Sequence, residues 1–87
     1  MKFEDIKLWQ FIIDKGLGKV FLPTSIENSL VRGIKWDVDR FWTCDTTWIS
    51  SGAKQSISHS AASYEPLIYI ERILSNRRDM IFSIFDL

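Results

Sequence analysis

From Gly33 onward the chain alternates strictly between apolar and polar positions. Ile34, Trp36 and Val38 fall on one side, and Lys35, Asp37 and Asp39 on the other. That is the period of a half-buried strand. The phase breaks at Arg40 and restarts with Phe41, Trp42, Thr43 and Cys44. The pattern therefore predicts a turn or bulge near Asp39 and Arg40 that joins two antiparallel strands into a hairpin with a charged outer face.

Elsewhere the periodicity is helical or broken. Phe3, Ile6, Trp9 and Ile13, with Phe11 and Ile12 beside them, recur at helix spacing and predict a first helix over Phe3 to Lys15. Glu4 and Asp5 suit its start, Lys15 suits its last turn, and Gly16 suits a left-handed stop with Leu17 folding back on Ile12. Lys19 to Leu22 reads as a short strand closed by Pro23, at or near a sheet edge. Thr24 to Glu27 has capping-box spacing, leaving Ser25 to Val31 open between two helical turns and a loop. Thr46 to Ser63 is serine-rich and reads as a long irregular connection, with a strand around Thr47 to Ser50 as an option.

Ser63 and Pro66 predict the start of a second helix, whose stripe is Leu67, Ile70, Ile73 and Leu74 and whose left-handed end is Asn76. Arg77, Arg78 and Asp79 make a turn. Met80 to Leu87 reads as a final strand, apolar on both faces and so central in the sheet. The order is α-β-β-β-α-β. We expect an α+β fold in which two helices pack on a mainly antiparallel sheet of about four strands, as a single domain over residues 1–87.

Composition narrows the function classes. A chain of 87 residues with 46 % hydrophobic and 25 % charged residues is rich enough to fold around a core. Eleven basic residues balance eleven acidic ones, so no whole-molecule field favours nucleic acid or an anionic membrane. A single cysteine, Cys44, fits a reducing compartment. The first residues lack the features of a signal peptide, and no apolar run approaches the length of a membrane span, so a cytoplasmic protein is expected.

Candidate chemistry is sparse. His59, the one histidine, lies among serines, but neighbours on a loop seldom hold nucleophile-and-base geometry and no orienting acid is identifiable. No catalytic residue is assigned, and no enzyme activity is expected. One cysteine and one histidine do not make a typical zinc site, and there is no glycine-rich phosphate loop, so neither metal nor cofactor is expected. Asp37, Asp39 and Asp45 would suit a hard cation, but a solvated strand face is the preferred reading. Arg72, Arg77 and Arg78 cluster near the end of the second helix, where they serve either a nucleic-acid contact or the helix dipole.

There remains the surface where carboxylates stand among rings. Carboxylates can stand in for phosphates and a tryptophan can stack like a base, so this face would suit a basic protein partner. Trp36 shares the parity of the core row. Trp42 is open between core and surface.

The segment resembles the immunity proteins of E-group colicins whose toxin domain cleaves tRNA anticodons. The matching pattern is G-x-basic-x-D, four residues, then W-T-x-D: Gly33, Lys35, Asp37, Trp42, Thr43 and Asp45. Lys15-Gly16-Leu17 closing a first helix, and a helix followed by an apolar strand at the end, extend the similarity. The resemblance implies a small cytosolic inhibitor that binds a cognate ribonuclease toxin domain one to one and blocks its cleft, partly by imitating RNA. Related pairs occur in contact-dependent growth inhibition. It also implies a partner-binding role for Lys35, Asp37, Trp42 and Asp45, and Asp39 joins them through its parity. Gly33 and Thr43 are expected to fix the turn and strand. A phage-encoded inhibitor of a host defence nuclease would use the same surface. Lys35 and Arg40 against Asp37, Asp39 and Asp45 leave one net negative charge, so recognition would rest on specific pairs and aromatic anchors.

Overall fold

A computed structural model describes residues 1–58, 63–68 and 71–87. His59 and Ile70, to which the sequence reading gave roles, lie outside the described residues. Five strands form one antiparallel sheet in the order β4-β3-β2-β1-β5. They are β1 (Ile12–Asp14), β2 (Lys19–Glu27), β3 (Leu30–Asp37), β4 (Ala53–Ile57) and β5 (Glu65–Pro66). The helices are α1 (Thr46–Ser50), α2 (Glu71–Ser75) and α3 (Arg78–Phe85), with short 3-10 turns at Phe3–Asp5 and Val38–Arg40. The fold is α+β as expected. The element order departs from α-β-β-β-α-β, and the sheet has five strands.

The sheet is covered unequally on its two faces. Alternation along β3 sends Ile34 and Trp36 to the helix side, where Phe11, Ile13, Val20 and Leu22 meet Trp48, Ile49, Leu74 and Ile81. Val31 faces the other way and joins Ile6, Ile12, Phe21, Ile57 and Tyr64, with Met1 and Phe3 packed against them. The first residues therefore feed the far face through Ile6, while Trp9 and Phe11 serve the helix side.

This crossing explains why the expected helix over Phe3 to Lys15 does not form. A straight helix cannot present Ile6 and Phe11 to opposite faces of one sheet. Trp9 takes a left-handed φ of 65°, which breaks any helix there, and its N–H donates to the Pro23 carbonyl at 2.8 Å. Phe11, Ile12 and Ile13 are buried on both sides, as suits an inner strand. The turn after β1 uses Gly18 at φ 68° and leaves Leu17 exposed, so Gly16 is not the left-handed stop. Asp14, buried, holds this turn by accepting from the Leu17 N–H at 2.9 Å and from the Ser63 hydroxyl.

β2 runs past Pro23 and pairs on both sides as an inner strand. A bulge between Pro23 and Ser25 absorbs the proline. A two-residue turn, with Asn28 at φ 57°, closes β2 onto β3. Hence Ser25 to Val31 is neither helix nor loop. Gly33 pairs with Pro23, and a Cβ there would lie 2.1 Å from the Leu22 carbonyl oxygen. The tight packing against β2 requires glycine.

Two further segments differ from the expected elements. Thr46–Ser50 is helix and Ala53–Ile57 is strand, where an irregular connection was expected. Arg78–Phe85 is helix, not the predicted final strand. Ile81 and Phe85 stand one helical turn apart and reach the helix-side core, while Ile84 and Leu87 are partly exposed. The central position in the sheet belongs to β2. Glu65–Pro66 forms β5 where the second helix was expected to begin. Asn76 follows α2 without a left-handed φ. Among the described residues, no helix is long and apolar enough to cross a membrane.

Candidate functional site

The charged and aromatic residues after β3 form a braced loop where a second hairpin strand was expected. β3 ends at Asp37, which is paired across the sheet with Lys19 and forms an ion pair with it. Val38 donates its N–H to the Gly18 carbonyl at 3.0 Å, and Val38–Arg40 makes one 3-10 turn. The Thr43 N–H and hydroxyl both donate to the Arg40 carbonyl, at 3.1 and 2.8 Å. Cys44 takes a φ of 45° and is buried. Desolvation pushes its thiol above the usual range.

Asp45 ends the loop by capping α1. One carboxylate oxygen accepts from the Trp48 N–H at 2.8 Å, and the other accepts from the Arg40 guanidinium at 3.0 Å. The amide bond from Trp48, followed by the charge of Arg40, holds the Asp45 carboxyl below its ordinary range. An aspartate at the N-cap satisfies a helix N–H that would otherwise lack a partner. Its spacing to Trp48 is visible in the sequence as D-T-T-W, an aspartate three residues before the N–H that it caps.

Two buried indoles anchor the loop to the sheet. Trp36 and Trp48 stack with centroids 5.3 Å apart. The Trp48 ring N–H donates to the Asp37 carbonyl and the Trp36 ring N–H to the Ile49 carbonyl, both at 2.8 Å. Each indole thereby ties the helix to the strand that precedes the loop. Trp36 also packs at a steep angle against Phe85, at 6.0 Å.

On this braced frame Trp42 stands 62 % exposed, with its ring set at 76° to Phe41 at 6.0 Å. Phe41 itself packs against the core. The loop thus carries Trp42 and Asp39, both exposed, and starts from the exposed Asp37 at the end of β3; Asp39 has no ion-pair partner among the described residues. Lys35 shares the face of β3 that Asp37 occupies, two residues before it. It is half-buried and sits opposite Phe21 on the far face of the sheet. Asp45 joins the site as the residue that positions the loop.

The arginines belong to two helices, with Arg72 inside α2. Arg77 and Arg78 stand at the start of α3 rather than the end of a helix. Arg78 donates to the Trp9 carbonyl at 2.6 Å, and its Nε is buried without a partner among the described residues. Among the described residues no group of His, Cys, Asp or Glu side chains is placed to hold a metal ion. No family model, curated protein or solved structure matches this chain.

Proposed function

We propose that the chain is an immunity-type inhibitor that binds a nuclease toxin domain and blocks its active-site cleft, with Trp42 as the anchor. The observation that carries this reading is a largely exposed tryptophan on a loop that is fixed at both ends, begins at the exposed Asp37 and also carries the exposed Asp39. Rigid aromatic residues give large contact area at low entropic cost. The adjacent carboxylates suit the cationic cleft that a nuclease offers to RNA. The resemblance to tRNase immunity proteins supports the same partner class. It rests on the Gly33 to Asp45 motif, since neither the first helix nor the final strand that extended it is present.

The test uses the toxin domain encoded beside this chain and its tRNA substrate. An excess of the purified protein should stop tRNA cleavage, with Trp42→Ala and Asp39→Lys each weakening the complex by on the order of 2 kcal/mol or more. Equal cleavage with and without the protein would refute inhibition. Undiminished affinity in both variants would place the contact elsewhere. A cytoplasmic one-to-one complex is part of this proposal.

A further inference from the structure

The two edges of the sheet are unlike. The β5 edge is two residues long and contains Pro66, a common way of protecting an edge. The β4 edge is five residues, with Ala53, Lys54, Gln55 and Ser56 all exposed and no strand beyond it among the described residues. Its outer backbone groups form a template for another strand.

Beside this edge the helical layer stops short. An open groove of about 380 Å³ lies there, bounded by Thr24, Ser25, Arg32, Lys54, Ser56 and Leu87. The register sets Lys54 opposite Ile34 and Ser56 opposite Arg32. Arg32 and Lys54 are therefore diagonal neighbours on one face, a spacing that long side chains can bridge. Lys54 has no acidic partner among the described residues, and Arg32 meets Glu27 at 3.7 Å with both side chains more than 60 % exposed. Exposed pairs of this kind contribute little. Both cations are available to a ligand.

We infer that β4 and this groove form a second binding surface, one that takes an extended acidic segment of a partner protein as an additional strand. Backbone pairing along Ala53–Ile57 supplies the affinity, and side chains on alternate positions of the added strand face the groove, where a carboxylate meets Lys54 and Arg32. Charge argues against a second copy as the occupant. Antiparallel pairing of two β4 strands about Gln55 would set the two Lys54 side chains diagonally across the new junction on one face, with no acidic side chain of β4 between them. The inference is independent of the Trp42 loop, whose carboxylates call for a partner surface of opposite sign.

A short synthetic peptide alternating threonine with glutamate, and its lysine counterpart, test this on the intact protein. The glutamate peptide should bind, slow amide hydrogen exchange at Ala53–Ile57, and lose at least tenfold in affinity with Lys54→Glu or Arg32→Glu. Both substitutions are at exposed positions, and circular dichroism checks that each variant is folded. Equal binding of the two peptides would overturn the inference, as would failure of the glutamate peptide to bind. Protection confined to another region would also overturn it, as would β4 protection that rises with protein concentration in the absence of peptide.

Discussion

Trp36 and Trp42 show how one residue type is used in two ways within one short stretch. Strict alternation with Ile34 placed Trp36 in the core row, and it is buried. Trp42 had no such neighbours to set its side, and only the fold decides that its ring faces solvent. Its exposure predicts that Trp42→Ala will leave urea-unfolding stability within about 0.5 kcal/mol of the parent, so that any lost inhibition reports contact with the partner. Asp45 behaves in the opposite manner. Removing its cap with Asp45→Ala should lower the thermal midpoint by about 4–8 °C, the shift usual for a lost cap in a domain of this size. The effect depends on pH with a definite sign. The carboxyls of Asp45 and Asp14 are both held below their ordinary range in the folded protein. The stability they contribute is complete above about pH 4 and is lost as pH falls through the lower folded values. Thermal melts at decreasing pH should therefore show the gap between Asp45→Ala and the parent closing.

At the level of elements, legibility followed how local the determining contacts are. The alternation in β3 is local and was readable. Phe3, Ile6, Trp9 and Ile13 mimic a helix because the chain crosses the sheet at intervals that resemble helical spacing, and the left-handed φ of Trp9 has no sequence marker. Met80 to Leu87 is apolar in both periods, and packing of Ile81 and Phe85 on the helix-side core decides for helix. The connection from α1 to β4 has its own constraint at Gly52. A Cβ there would stand 2.4 Å from the Trp36 Nε1 and 2.9 Å from an Ile34 methyl carbon. Gly52→Ala should cost about 1–3 kcal/mol in chemical denaturation, because the strand or the indole must move. The candidate site was readable as residues but not as geometry. Its carboxylates and Trp42 were named, whereas the braces from Asp45 and Trp48 depend on α1, which was expected to be irregular.

For the molecule as a whole, the crossing of the first residues over the sheet joins its two unequal cores. Arg78 holds that crossing from the other end of the chain through the Trp9 carbonyl. Arg78→Met keeps an apolar stem but removes the donor, and should speed amide exchange at Trp9 and its neighbours while leaving β2 and β3 protected. Accelerated exchange throughout the sheet would instead mean that Arg78 supports the entire fold. With a zero formal charge, both proposals rest on local side chains, Asp39 with Trp42 at one surface and Lys54 with Arg32 at the other. The stacked Trp36 and Trp48 pair has an additional, optical consequence. Two indoles in such close and fixed orientation couple their ultraviolet transitions, giving a paired circular dichroism band that vanishes when α1 leaves the sheet. Trp42, standing in solvent, will dominate the fluorescence accessible to aqueous quenchers. The protein thus carries separate spectroscopic reporters of its folding and of what lands on its surface, without any added label.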